Sequence, residues 1–411
     1  MKFHTGNLKR AIAAVAVAAM LLPIVGCSSG KTPTPSTTPS NAPSANPSAS
    51  APSENESKYK VDEIRVGYTS LQSGAMAVIG PIIDFCVNTA KEDFEARTGV
   101  KVDLVIEDAG STLESAIDAT VRLIDDDVSC IIGILGSTQY AGMLQELEEV
   151  GNIPLMTTVA PDEIFTRGYD WLFCSYVTRL QENAGMLAWA KSIGAKSVAC
   201  MLGTDDDSRA LMEYFIEEGA KQGIEIYPEW INPADTDFTA NITSARAKNP
   251  DAYYCLSAAT TMSQILRQMK QLGIDKPLNT GAALGVQSFV DLMEPEELEG
   301  MYGQASILPP YIIDDPKVQE YVAKYTEATG YPADITTLVY YDCAMLLFEA
   351  AAGAGNDGEA IKDYLRNEMQ GYQGITGVYN FDDAGLGRWE CYLLQAGPNK
   401  EVKCIDTLKL R

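Results

Sequence analysis

The spacing of apolar residues divides this chain into stretches of different texture. Ala11 to Leu22 is one unbroken apolar run, and residues 31 to 53 contain almost no large apolar side chain. From Asp62 onward, short apolar runs alternate with stretches in which apolar residues recur every three or four positions. Ile64-Arg65-Val66-Gly67-Tyr68 predicts a short buried strand. Ile82, Cys86, Ala90 and Phe94 then mark one face of a helix that Gly99 closes. Val100 to Ile106 predicts the next strand, and Leu113, Ile117, Val121 and Ile124 stripe a second helix. Ser129 to Leu135 and Ile153 to Thr158 predict two further strands, the first entering a helix through Gly136-Ser137-Thr138.

The rhythm restarts after Thr178. Ser197 to Leu202, Ile224 to Trp230, Ala252 to Ser257 and Pro277 to Ala282 read as strands, with helices between them such as the one striped by Met262, Ile265, Leu266, Met269 and Leu272. Residues 316 to 370 supply three helices, and 377 to 409 an antiparallel ending. Strands alternating with single helices imply parallel, doubly wound sheets with right-handed crossovers. Two successive units of this kind exceed what one core usually accommodates, so the expected fold is α/β with two lobes.

The beginning of the chain follows different rules. Lys2, Lys9 and Arg10 precede the apolar run, which is too short to span a bilayer stably, and Ile24-Val25-Gly26-Cys27 closes it. Those four residues resemble the lipobox of bacterial lipoproteins. The resemblance implies that 1–26 is a leader and that Cys27 becomes a lipid-bearing N-terminus. Residues 31 to 53 are mostly Pro, Ser, Thr, Ala and Asn, with prolines at 33, 35, 39, 43, 47 and 52. Such a segment buries no core, so 27–60 is expected to be an anchor and disordered stalk.

Composition narrows the chemistry. The formal charge of −25 becomes −28 once the leader's three basic residues are removed, which opposes nucleic acid as a partner. The single histidine, His4, lies in the leader. The remainder therefore cannot run Ser-His-Asp or Cys-His catalysis or build a His-ligated metal site, and no G-x-S-x-G is present. Neither a catalytic residue, a metal nor a cofactor is expected. Nine cysteines include Cys27, and no C-x-x-C occurs. Most read as buried thiols, but Cys391 and Cys404 flank Gly397-Pro398-Asn399 almost symmetrically. A disulfide across a hairpin is one expectation for that pair and two free thiols the other.

The order of elements resembles the type I periplasmic binding proteins, specifically the leucine/isoleucine/valine-binding family of ATP-driven importers. The marks are Ser73-Gly74 before Gly80, Ile132-Gly133 leading to Ser137, Asn152-Ile153-Pro154 before Thr157-Thr158, and Asp237-Phe238-Thr239. Further along come Ile265-Leu266-Arg267-Gln268, Tyr341-Asp342, and Phe381-Asp382 followed by Gly385. Their order covers about 350 residues. The resemblance implies two doubly wound parallel-sheet lobes joined by three hinge crossings, near Tyr176, Leu308 and 371–377. Lobe 1 would be 61–177 and 308–373, and lobe 2 would be 178–307 and 374–411. Ligand would bind between them at the carboxyl ends of the strands, where helix N-termini offer N–H groups.

By the same resemblance, Ser137, Thr138, Thr157, Thr158 and Ala160 would hold an amino acid's charged groups; capping of the helix by Ser137 and Thr138 is compatible with that role. Ile79 lies in the first loop and Tyr176 at a crossing. Ser257, Ala258 and Ala282 follow lobe-2 strands, where the family's ammonium-binding glutamate is replaced by Ala282-Ala283-Leu284. Asp207 either supplies the missing charge or is a helix-start acid on a solvated face. The expected protein is an extracytoplasmic, lipid-anchored solute-binding protein. It would capture a small organic ligand (amino acid, amide, aromatic acid or similar) between closing lobes and deliver it to an ABC permease in the membrane. The alternative is a ligand-sensing lipoprotein of the same fold that presents its closed form to a signalling receptor.

Overall fold

The computed structural model describes residues 58–135, 137–158 and 168–410. The expected leader, Cys27 and most of the stalk lie outside the described residues, as does Ala160. The first half of the head runs β1 (Glu63–Ser70), α1 (Gly80–Thr98), β2 (Lys101–Asp108), α2 (Leu113–Asp125), β3 (Cys130–Gly133), α3 (Ser137–Val150), β4 (Leu155–Thr157) and β5 (Leu172–Cys174). These strands form one parallel sheet in the order β2-β1-β3-β4-β5. The short β5 lacks a periodic signature and is not apparent in the sequence.

The chain continues through α4 (Arg179–Ser192), β6 (Ser197–Leu202), α5 (Asp206–Gln222), β7 (Glu225–Trp230), α6 (Thr239–Ala247), β8 (Ala252–Leu256), α7 (Ala259–Gln271) and β9 (Leu278–Asn279). The strand expected from Pro277 to Ala282 thus stops after two residues. Asn279 turns its own carboxamide onto the N–H of Gly281 at 2.8 Å, and Gly281 adopts φ +59°, which ends the ladder and starts a 3-10 turn. Next come α8 (Gln287–Leu292), α9 (Pro295–Leu298) and β10 (Tyr302–Ala305), then α10 (Pro316–Thr329), α11 (Ile335–Ala354) and α12 (Gly358–Asp363). A hairpin of β11 (Tyr372–Gly374) and β12 (Gly377–Tyr379) precedes β13 (Glu390–Ala396) and β14 (Val402–Lys409).

The second sheet has the order β14-β13-β10-β9-β8-β6-β7. From β7 to β10 it repeats the first sheet's arrangement, with β6 and β8 side by side as β1 and β3 are. The antiparallel pair β13–β14 extends it past β10. Residues of β6 alternate strictly between faces. Ala199 and Met201 join one core cluster, while Val198, Cys200 and Leu202 join the other with Trp189, Phe215 and Tyr254. The first sheet's core draws on α10 and α11 as well as α1 to α3.

Two expectations need correction. Tyr379 and Phe381, assigned to lobe 2, pack in the first core, and Leu386 bridges Cys174 at the edge of the first sheet. The third passage between sheets is therefore at 387–389, not 371–377. The disulfide is also absent: Cys391 and Cys404 are free thiols. Cys391 lies opposite Leu408 and Cys404 opposite Leu394, because the turn is centred on Asn399 and a bulge at Leu393/Leu394 shifts the register. The two thiols also face opposite cores, Cys391 with Trp189 and Cys404 with Leu394.

Candidate functional site

In doubly wound sheets, the crevice at the carboxyl end between the two strands where winding reverses is where ligands bind. In the second sheet that position is between β6 and β8. A pocket of about 390 Å³ opens there, lined by Gly203, Asp205 and Ser208 after β6 and by Leu256, Ser257 and Ala258 at the end of β8. Glu182 and Asn183 from α4, together with Pro233 and Ala282, complete the wall.

Each polar group here is held by its local fold. Thr178 caps α4, accepting from the N–H of Gln181 at 3.3 Å while the Gln181 carboxamide accepts from the Thr178 N–H at 2.9 Å. One turn on, Gln304 Nε2 donates to the carbonyls of Glu182 at 3.2 Å and Asn183 at 3.5 Å, and Asn279 Nδ2 donates to Gln304 Oε1 at 3.2 Å. The Tyr254 hydroxyl donates to Asn183 Oδ1 at 2.9 Å. Tyr176 donates its phenol proton to Glu182 Oε1 at 3.0 Å. Burial first, and the Glu182 carboxylate next, push the Tyr176 phenol well above its ordinary pKa. Across the pocket, Asp205 caps α5, accepting from the N–H of Ser208 at 2.9 Å and from its hydroxyl at 2.8 Å.

The corresponding end of the first sheet is more tightly tied to itself. Thr157 is fully buried and donates to the Phe173 carbonyl at 3.3 Å, and Thr158 is also buried. The loop after β1 is pinned by its backbone: Gln72 N–H donates to Asp108 Oδ1 at 2.9 Å and Met76 N–H to Ser111 Oγ at 2.9 Å. Burial works against the charge on Asp108, but hydrogen bonds from Ser73, Gly110 and Gln72 outweigh it and hold the carboxyl below its usual range. Ile79 sits at the N-terminus of α1, 36% exposed. Gly80 beside it is required, since a Cβ there would lie 2.0 Å from the Leu71 carbonyl.

Of the residues expected from sequence, the structure brings Ser257, Ala258 and Ala282 together in the pocket, and Tyr176 reaches it through Glu182. Asp207 is exposed and does not line it; its neighbour Asp205 does. Ile79, Thr157 and Thr158 belong to the first-sheet end and are not in this lining. The side chains of Ser137 and Thr138, at the start of α3, lie outside the described residues. Glu182, Asn183 and Ser208 were missed, because an acid and an amide in a helix's opening turns read as ordinary start residues.

The comparisons agree with this architecture. Residues 63–398 match the family model described as periplasmic binding protein. The leucine-, isoleucine-, valine-, threonine- and alanine-binding protein of Pseudomonas aeruginosa is 22% identical over 330 residues, 79% of this chain and 87% of that protein. The Leu/Ile/Val/Thr-binding protein of Salmonella typhimurium is 24% identical over 221 residues, 52% of this chain and 60% of that protein. Among solved structures, a putative branched-chain amino acid ABC transporter from Rhodospirillum rubrum superposes with a TM-score of 0.76 at 22% identity, covering 84% of this chain and 100% of that one. With a matching family model over most of its length, the chain belongs to the periplasmic binding proteins, a family of solute binders rather than enzymes.

Proposed function

We propose that this protein captures a small organic solute between its two α/β units and delivers it to an ABC permease, while a lipid on Cys27 keeps it at the outer face of the cytoplasmic membrane. The observation that carries the reading is the pocket at the β6/β8 reversal, whose partner position, between β1 and β3, exists in an identical strand order in the first sheet. The chain passes between the sheets at 175–178, 306–309 and 387–389, so the units can close about three adjacent strands of backbone. Closure desolvates the ligand's polar groups and rejects analogues that leave the pocket's own groups unpaired. The ligand class fitting the lining is an amino acid, amide or related amine, in keeping with what the relatives' names state for those proteins.

A thermal-shift screen of the full chain against amino acids, amides, aromatic acids, amines and nucleosides tests this. A ligand at about 100 times its Kd adds about 2.7 kcal/mol of stability. A shift with one chemical class is the expected result; a flat response across the panel would remove the solute-binding reading. Cys27→Ser should move the protein from the detergent-rich to the aqueous phase on detergent partitioning. Unchanged partitioning would sink the lipid anchor.

A further inference from the structure

We infer that Asp342 and Thr376 are positioning residues for closure: they aim Arg388 at the passages, so the resting separation of the two units is set from inside the first core. This rests on the solute-binding reading above. Asp342, on the apolar helix α11, is only 1% exposed. Its hydrogen bonds come from the β11–β12 hairpin. Oδ1 accepts from the Ile375 N–H at 3.0 Å. Oδ2 accepts from the Thr376 N–H at 2.9 Å, the Tyr379 hydroxyl at 3.0 Å and the Thr376 hydroxyl. The approach leaves no room for a side chain at Gly374, where a Cβ would lie 2.5 Å from Asp342 Oδ2.

Arg388 Nη2 donates to the same Thr376 hydroxyl. A guanidinium only donates and a carboxylate only accepts, so the hydroxyl between them has one orientation: it accepts from Arg388 and donates to Asp342. Two buried opposite charges are thereby joined through a single hydroxyl, and burial makes each depend on such partners. Other donors of Arg388 reach the carbonyls of Ser175 and Ser306, on the first and second passages. A carbonyl swings when its passage twists, so a guanidinium fixed at one end favours one setting of both. The fixed end is the relay, which ties the guanidinium to α11, an element of the first core outside all three passages. The guanidinium also lies over the Tyr379 ring, a contact that sets no direction in the plane of the ring; the Thr376 hydroxyl sets it.

Hydrogen exchange of the full, ligand-free chain tests this. The Ser175 N–H, bonded to the Thr157 carbonyl at 2.9 Å, reports on the first passage, and the Gly387 N–H, bonded to the Cys174 carbonyl at 3.1 Å, on the third. Thr376→Val keeps the side chain's shape and removes its hydroxyl. Both amides should then exchange at least about tenfold faster, the factor for losing a hydrogen bond to a charged group, while amides of β6 and β8 keep their rates. Thr376→Ser should restore slow exchange. Gly374→Ala, which keeps every donor and acceptor but pushes the hairpin off Asp342, should reproduce the fast exchange. Unchanged rates at Ser175 and Gly387 in Thr376→Val, or equal acceleration across both sheets, would overturn the relay's role. The thermal-shift panel, repeated on Thr376→Val, should give a smaller shift for every compound that shifts the unsubstituted protein. Undiminished shifts despite faster exchange would also overturn it, since capture would then not depend on the relay. A flat panel with the unsubstituted protein removes the solute-binding reading instead, and the exchange rates still decide whether the relay holds the passages.

Discussion

Asp251 closes the start of two neighbouring strands in the second sheet. Its Oδ2 accepts from the N–H of Lys196 at 2.8 Å and of Ser197 at 3.1 Å, and the Ser197 hydroxyl adds a third contact at 3.3 Å. The bond from the Lys196 N–H is the chief reason its carboxyl lies below the usual carboxylate range. A carboxyl whose folded pKa is depressed stabilises the fold above its unfolded pKa, about 3.9, and that contribution disappears as pH falls through the folded value. Asp251→Ala should therefore lower the melting temperature by a few degrees at neutral pH, and the difference should narrow below about pH 4. Melts across a pH series check this; a pH-independent difference would mean the side chain matters through packing alone. At this scale the sequence was least informative. Asp251 and Glu182 look alike as acids beside strand and helix starts, and only the fold separates a carboxylate that staples β6 to β8 from one that lines a pocket.

The long helix α11 shows how an element can mislead by composition and still be placed correctly by its context. Its twenty residues are apolar enough to cross a bilayer, yet they are buried along nearly their whole length inside the first core. A helix apolar on every side belongs in an interior, and here that interior is protein. With no polar face to fix where it begins, its start depends on a cap. Asp334 accepts from the Thr337 N–H at 3.0 Å while its own N–H donates to Thr337 Oγ1 at 3.2 Å. Asp334→Ala should cost about 1 kcal/mol of unfolding free energy and Asp334→Asn much less, measured by urea denaturation. Equal losses in the two variants would contradict the capping role. Elements with a strong period, such as β6 or α7, were legible because burial and spacing point the same way. The β13–β14 register was not: one bulge and a turn centred on Asn399 displaced Cys404 from Cys391. Nothing in the apolar pattern records such a shift.

The passages between the two units converge on one side chain. Arg388, itself on the third passage and only 4% exposed, donates from Nε to the Ser175 carbonyl at 3.4 Å on the first passage. Its Nη1 donates to the Ser306 carbonyl at 3.3 Å on the second, and its Nη2 to Thr376 Oγ1 in the β11–β12 hairpin. The same guanidinium lies over the Tyr379 ring at 4.4 Å. A planar, five-donor group can satisfy three segments at once, which a lysine ammonium on a flexible stem cannot. If closure turns about these passages, Arg388 fixes how far they slide past one another, and its influence must extend to every ligand alike. Arg388→Lys should therefore weaken all bound solutes by a similar factor, leaving the ratios of their affinities unchanged. Part of the loss should appear as a lower melting temperature, since two buried carbonyls lose their donors at about 1–3 kcal/mol each. Small-angle scattering supplies the deciding measurement: ligand-free Arg388→Lys should be more expanded than the unsubstituted protein, and the difference should shrink on saturation with ligand. A variant that melts lower but keeps its affinity and its scattering profile would reduce Arg388 to a packing residue of the first core.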